Sequence, residues 1–179
     1  MRIAAGLASL FVAFGFTAGL RTGPSFLVQS DVRIGSFAVK RDGTLKGVER
    51  AFGPPRAIKH TQMGCRGAWT NYGLTVDFYN LGGQDPCSPR YGYFFRAIMR
   101  GARWHTPRGL HVGDSVRSLQ RQYPRARFHR GLRDAWPPGW WLVTRYSRVG
   151  TGGFYPGLMA TTRNGAVNAL YVRFAAGGD

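Results

Sequence analysis

Acidic side chains are scarce in this chain of 179 residues: one glutamate, Glu49, and seven aspartates, the last of them Asp179. Lysine is rarer still, at Lys40, Lys46 and Lys59, and cysteine occurs only at Cys65 and Cys87. Acid/base catalysis needs carboxylates or histidines brought together with tuned pKa values, so the shortage narrows the enzymes this chain could be. The four histidines, His60, His105, His111 and His129, lack the H-E-x-x-H and H-x-x-E-H spacings of zinc hydrolases. A metal site at the cysteines needs two further ligands, and His60 alone does not complete one. No metal and no other cofactor is therefore expected. "GTGG" at 150–153 lacks the Lys-Ser/Thr of a phosphate-cradling loop and reads as a strand connection. Ser115, His105 and Asp134 assemble a triad on paper, but Ser115 has no G-x-S-x-G elbow around it.

Arginine is what the chain has in abundance. Lys and Arg together number 25 against 8 Asp and Glu, a formal net charge of +17. Such a balance favours anionic partners: acidic cell-wall polymers, membrane headgroups or nucleic acid, the last not favoured here. An Arg-biased composition displayed on a solvated surface gives the same numbers. Hydrophobic residues make up 44% and aromatics 14%, enough for a packed core.

The N-terminus, "MRIAAGLASLFVAFGFTAGLR", sets Arg2 before an apolar run from Ile3 to Leu20. That is the charged start and apolar middle of an export signal, with Thr17, Ala18 and Gly19 as a cleavage region. Residues 1–23 are expected to be a signal peptide or an N-terminal anchor. Gly6, Gly15 and Gly19 weaken a membrane helix and favour cleavage, and no cysteine lies nearby to take a lipid. Membrane contact is expected only through an uncleaved N-terminal segment. Secretion or the cell envelope is the expected location, and there disulfides persist, so Cys65 and Cys87 are expected to pair.

Two segments share a pattern. Shifting "GLHVGDSVRSLQRQYPRA" (109–126) back by 71 positions places Val116 on Leu45, Leu119 on Val48 and Tyr123 on Phe52 in "DGTLKGVERAFGPPRA". The i, i+3, i+7 spacing is one buried stripe of a short helix. Thr44 and Ser115 stand where caps belong, with Asp114 as an alternative, and both helices run into proline. Each is followed by a tryptophan-led apolar segment, "WTNYGLTVDFYN" and "WWLVTRYS". Alternation predicts strands in "GLTVDFYN", "YGYFFRAIM", "WWLVTRY" and "NALYVRF", and Asn164-Gly165 predicts a hairpin turn. The expected fold is α+β: two tandem repeats, 24–101 and 102–179, each a short N-terminal helix packed on an antiparallel sheet.

The start "GLHVGDSVRSL", opening a helix that ends at "YP", resembles the G-hydrophobic-x-G-[TDS] helix start of the beta-lactamase inhibitory protein family and of small outer-membrane-assembly lipoproteins. The likeness extends as a pattern over roughly residues 33 to 174 and includes the tandem arrangement of the inhibitor family. It implies a non-enzymatic binding fold with a broad sheet surface. The first copy departs from the motif, with "IGSFAVKRDG" in place of the "GL-x-VG" lead, and the second half has no cysteine. None of the inhibitor family's contact residues can be placed on this chain.

Two candidate surfaces follow. Arg117 and Arg121, spaced i, i+4, share a helix face away from the apolar stripe, and Arg125, Arg127, Arg130 and Arg133 continue as a ridge suited to anions. Trp136, Trp140 and Trp141 surround a Pro-Pro-Gly turn; alternation sends Trp140 and Trp141 to opposite faces, one into the core and one available beside Trp136 as an interface anchor. The other acidic residues have local readings: Glu49 as a partner of nearby arginines, Asp42 and Asp85 in turns, Asp77 outward from a strand. The function expected is that of an exported, non-catalytic binding protein, its partner a protein or an anionic envelope polymer. The alternative is a cell-wall or polymer hydrolase with an unorthodox site.

Overall fold

The computed structural model describes residues 25–62, 64–132, 136–147 and 152–174. The expected signal segment, Arg133, Asp134 and the first half of the "GTGG" connection lie outside them. The fold is mixed α/β, with two helices and mostly antiparallel sheet. In chain order, β1 (Val28–Gln29), β2 (Arg33–Ile34) and β3 (Phe37–Ala38) form a small sheet, followed by α1 (Leu45–Phe52). Then come β4 (Ala57–Thr61), β5 (Gly64–Trp69), β6 (Leu74–Tyr79) and β7 (Tyr93–Met99). After α2 (Val116–Gln122) the chain forms β8 (Arg127–His129), β9 (Gly139–Ser147), β10 (Gly153–Arg163) and β11 (Ala166–Arg173). These last eight strands make one sheet in the order β4-β5-β6-β7-β11-β10-β9-β8, antiparallel throughout. Each helix thus precedes a four-stranded meander, and the two meanders join at the β7–β11 seam.

The helices start where their caps predict. Thr44 Oγ1 accepts from the Gly47 amide at 3.3 Å, and Ser115 Oγ accepts from the Ser118 amide at 3.1 Å, each satisfying an amide that the first helical turn leaves open. Asp114 does not cap; its carboxylate fastens the preceding turn through the His111 amide at 2.9 Å. Leu45, Val48 and Phe52 of α1 are buried, as are Leu119 and Tyr123 at the matching positions, while Val116 is half-buried. Arg50 reaches Asp42 at 3.3 Å, so Asp42 serves as an ion-pair partner as well as a turn residue.

The first amide of each helix also meets the last strand of its own meander. The Leu45 amide donates to the Gly92 carbonyl and the Val116 amide to the Gly165 carbonyl, both at 2.9 Å. In return the Phe94 amide donates to Gly43 and the Val167 amide to Asp114, both at 2.8 Å. Both helices pack on one face of the sheet, the inner face, where Trp69, Leu74, Val76, Phe78, Met99, Leu170 and Val172 join Val48 and Leu119 in a single core.

The strand read in "GLTVDFYN" forms as β6 from Leu74; before it, Trp69 closes β5, residues 70–72 make a turn of 3-10 helix and Gly73 takes a left-handed φ of 59°. β10 runs through Pro156 and Gly157, where no strand was expected, and register shifts against β9 there absorb the irregularity. A Cβ on Gly157 would stand 2.9 Å from Ser30 Oγ, so its absence is what lets the 30–31 segment lie against β10. Asp31, buried there, accepts from Ser30 Oγ, Arg145 Nε at 3.0 Å and the Tyr155 hydroxyl at 3.2 Å. The Asn164-Gly165 turn forms as read, with φ of 52° and 76°, and Cys65 is disulfide-bonded to Cys87. Among the described residues, no helix is long and apolar enough to cross a membrane.

Candidate binding face

Residues paired across antiparallel strands project to the same side of a sheet, so the registers define what stands on the outer face. One row runs Arg66–Asp77–Arg96–Arg173 across β5, β6, β7 and β11. Beside it runs a second, Thr75–Ile98–Tyr171–Met159–Trp141–Arg127, from β6 to β8. The second row is apolar at its centre: Trp141, Met159 and Tyr171 are buried and pack with Ile98 and Trp136 as a cluster separate from the main core. An arginine row therefore borders an apolar stripe.

Asp77 is the row's single acid. Arg66 donates Nε to Oδ1 and Nη2 to Oδ2, the latter at 2.9 Å, and Arg96 donates Nε to the same Oδ2. Burial pushes the Asp77 carboxyl up, but the hydrogen bonds and charges of the two arginines outweigh it and hold the pKa below the ordinary value. Arg173, next in the row, has no carboxylate among the described residues. Its guanidinium lies 4.9 Å from the Phe95 ring centroid and 5.2 Å from that of Trp136, and its Nη1 is buried without a hydrogen-bond partner. Burial lowers the Arg173 pKa. Burial also raises that of Tyr171, against a smaller opposing effect from its neighbour Arg96.

After β8, residues 130–132 and 136–138 lie over this face. Leu132 and Trp136 exchange backbone hydrogen bonds of 3.0 and 3.1 Å, and the Trp136 ring meets Trp141 edge-on at 5.5 Å. Between these residues and the sheet lies a cavity of about 530 Å³ whose walls include Arg96, Ile98, Arg100, Arg130, Trp136 and Tyr171.

The residues singled out from sequence are divided between the two faces. Arg130 and Trp136 line the outer cavity. Arg127 sits on the outer face of the edge strand β8, opposite Trp141. Trp140 and Trp141 do point oppositely, Trp140 to the main core and Trp141 outward. Trp141 is not the open anchor expected: it is 8% exposed, with the His129 ring stacked on it at 3.9 Å, and it floors the face. Arg117 and Arg121 are exposed on α2, whose Leu119 packs into the inner core. Arg125 borders a different cavity, of about 780 Å³, with Gln29, Arg108, Tyr123 and Leu158. The linear ridge is thus no single surface.

Arg96, Arg100, Tyr171 and Arg173 went unremarked in the sequence, although the signal was present. In "NALYVRF" the alternation that buries Leu170 and Val172 on one side sends Tyr171 and Arg173 to the other.

The carboxylates are engaged locally. Asp31 is bound by Arg145 and Tyr155, and Asp77 by Arg66 and Arg96. His60 pairs with Asp85 at 2.8 Å on the exposed edge of the sheet, where the Cys87 amide also donates to Asp85 at 2.8 Å. That amide, then His60, holds the Asp85 pKa down. Compared with known family models, curated proteins and solved structures, the chain matches none.

Proposed function

We propose that this chain is an exported, non-catalytic binding protein that receives an acidic protein surface on the outer face of its sheet. The observation that carries the reading is Arg173: a half-buried guanidinium in a row whose single aspartate is already taken by two other arginines. A desolvated cation without a counter-charge is costly, and a carboxylate from a partner removes that cost. Arg96, Arg100 and Arg130 add cations around the neighbouring cavity, and Trp136, which meets the Arg173 guanidinium and lines that cavity, adds aromatic surface of the kind found in protein–protein hot spots. A hydrolase would need carboxylates free to act on a substrate, whereas the buried Asp31 and Asp77 are bound by arginines.

The two helix-plus-meander units are, in this reading, copies of one ancestral unit. The matching cap contacts of Leu45 with Gly92 and Val116 with Gly165 support it. So do Trp69 and Trp140, each on the second strand after its helix and each facing the main core. Duplication joins two small sheets into one face wide enough to receive a protein.

Titration of the full chain with poly-L-glutamate, followed by tryptophan fluorescence, tests the face. Arg173→Gln is expected to weaken binding about tenfold, the loss of one charge-assisted contact. Arg117→Ala/Arg121→Ala removes two charges from the inner-face helix and is expected to leave affinity within about twofold. Equal losses in both variants would mean diffuse attraction by net charge and would overturn the reading. Tighter, Arg173-dependent binding of heparin would reassign the face to an envelope polymer.

A further inference from the structure

At the β4 edge, three side chains remote from the binding face bring metal-ligand atoms together. The donor atoms of His60, Asp85 and Cys87 all lie within 4.8 Å of one another, and the Cys87 sulfur is bonded to that of Cys65. His60 stands directly opposite Cys65 in the β4–β5 register. Asp85 reaches the same point from the loop after β6, oriented by the Cys87 amide on Oδ1. With the Cys65 sulfur, which is bonded to that of Cys87 but stands outside this cluster of three, the two sulfurs, an imidazole nitrogen and a carboxylate oxygen make up a donor set for tetrahedral zinc. While the disulfide stands, neither sulfur is a thiolate and the set is incomplete.

We propose that this cluster is a redox-gated zinc site, closed by the Cys65–Cys87 disulfide and opened by its reduction. A dithiol reductant supplies two electrons and two protons, becomes a disulfide itself, and leaves two thiols. Zinc then displaces both thiol protons and takes His60 and Asp85 as its remaining ligands. Two thiolates and one carboxylate give the centre a net charge of minus one, which a chain of formal charge +17 accommodates readily.

The geometry gives the exchange a structural purpose. Cys65 is fully buried in the main core, Cys87 is half-buried beside it, and His60 and Asp85 are exposed, so an ion reaches the site from solvent. The loop that carries Asp85 and Cys87 also presents the Gly92 and Pro89 carbonyls to the first two amides of α1, at 2.9 and 3.2 Å. Zinc would hold that loop against the sheet where the disulfide otherwise does, keeping the start of α1 in place. Sequence spacing concealed the set because Asp85 had an adequate explanation as a turn residue.

The test uses the full chain, reduced anaerobically by a water-soluble phosphine that does not chelate metal, with zinc alone as the ligand and a chromophoric chelator as competitor. One zinc per reduced chain is expected, with none bound by the oxidised chain or by Cys65→Ser/Cys87→Ser. His60→Ala and Asp85→Asn should each weaken binding at least about tenfold, as loss of a ligand does. Cobalt(II) added to the reduced chain should give the intense visible bands of a tetrahedral thiolate site, and zinc should raise its melting temperature. Binding that is unaffected by both the His60 and Asp85 variants would mean two thiolates acting alone and would overturn the proposal. So would uptake no greater than that of the double serine variant. Neither result bears on the outer face, which lies away from this edge.

Discussion

Arg96 and Arg173 face each other across the β7–β11 seam, yet Arg96 alone of the two is paired with a carboxylate. Two guanidiniums side by side on adjacent strands repel one another, and cross-strand like charges are destabilising. Asp77 relieves this for Arg96 on the far side; Arg173 relies on the faces of Phe95 and Trp136, which stabilise a cation less than a carboxylate does. Among the described residues Arg173 is thus the member of this row without a carboxylate, and the Trp136 ring that it meets is also a wall of the cavity.

Asp77 gives the stability of this row a pH dependence. Its folded-state pKa is lowered, so its contribution is complete above the unfolded value of about 3.9 and is lost as pH falls from there through the lowered folded value. Its side chain is 10% exposed, whereas those of Arg66 and Arg96 are 35% and 24% exposed and keep part of their hydration. Asp77→Asn is therefore expected to cost about 2–3 kcal/mol at pH 7, at or below the lower end for breaking a buried pair. Urea unfolding at a series of pH values checks it: the variant should lose less stability than the parent between pH 5 and pH 3. A parallel pH profile for the two proteins would show that Asp77 does not supply this dependence.

Gly47 reverses the usual rule for helix interiors. Alanine favours a helix over glycine by about 1 kcal/mol. A Cβ at Gly47, however, would stand 1.8 Å from the Asp42 carbonyl oxygen, a backbone atom that cannot rotate away. Gly47→Ala is expected to destabilise the protein by about 1–3 kcal/mol, the range for overpacking, instead of stabilising it. A thermal melt shifted upward would show that the 42–47 turn relaxes freely.

The disulfide closes a loop across a sequence separation of 22 residues, and the chain-entropy relation values that constraint at roughly 3 kcal/mol. Cys65→Ser/Cys87→Ser, unfolded in denaturant without added metal, should lose about that amount. Reduction and alkylation should raise the intact mass by two alkyl groups, each standing where reduction placed a thiol hydrogen. An unchanged mass after reduction in denaturant would mean that the bond is absent.

Much of this arrangement was legible in the residues, and what was not has identifiable causes. The helices were visible because cap, stripe and proline stop at Thr44–Phe52 and Ser115–Tyr123 all agree. The cysteine pair required only the expectation of an oxidising compartment. β10 was hidden by Pro156 and Gly157, since proline lacks a ladder donor and glycine packs nothing; register shifts make both tolerable. The arginines along 117–130 do not make one ridge, because proximity in sequence there is not proximity in space. The chain crosses from the inner-face helix to the sheet within those residues, so Arg121 and Arg130 end on different faces. Conversely, Arg66, Arg96 and Arg173 are far apart in sequence and adjacent across strands, an arrangement that only the register discloses.

The paired caps test the kinship of the two units directly. Thr44 and Ser115 each accept a helix amide with the side-chain oxygen, and each bridges to the first residue of its meander's last strand, Tyr93 or Ala166. Replacing either cap by alanine removes the same contact from the same structural setting, so Thr44→Ala and Ser115→Ala are expected to cost about 1 kcal/mol each. The two caps lie in different units and share no partner, so the double variant should lose close to the sum. Chemical denaturation of the three variants measures this. A full loss at one helix with none at the other would mean that the two caps play different parts, and the matched hydrogen bonds at Gly92 and Gly165 would then be a coincidence of fold, not a trace of duplication.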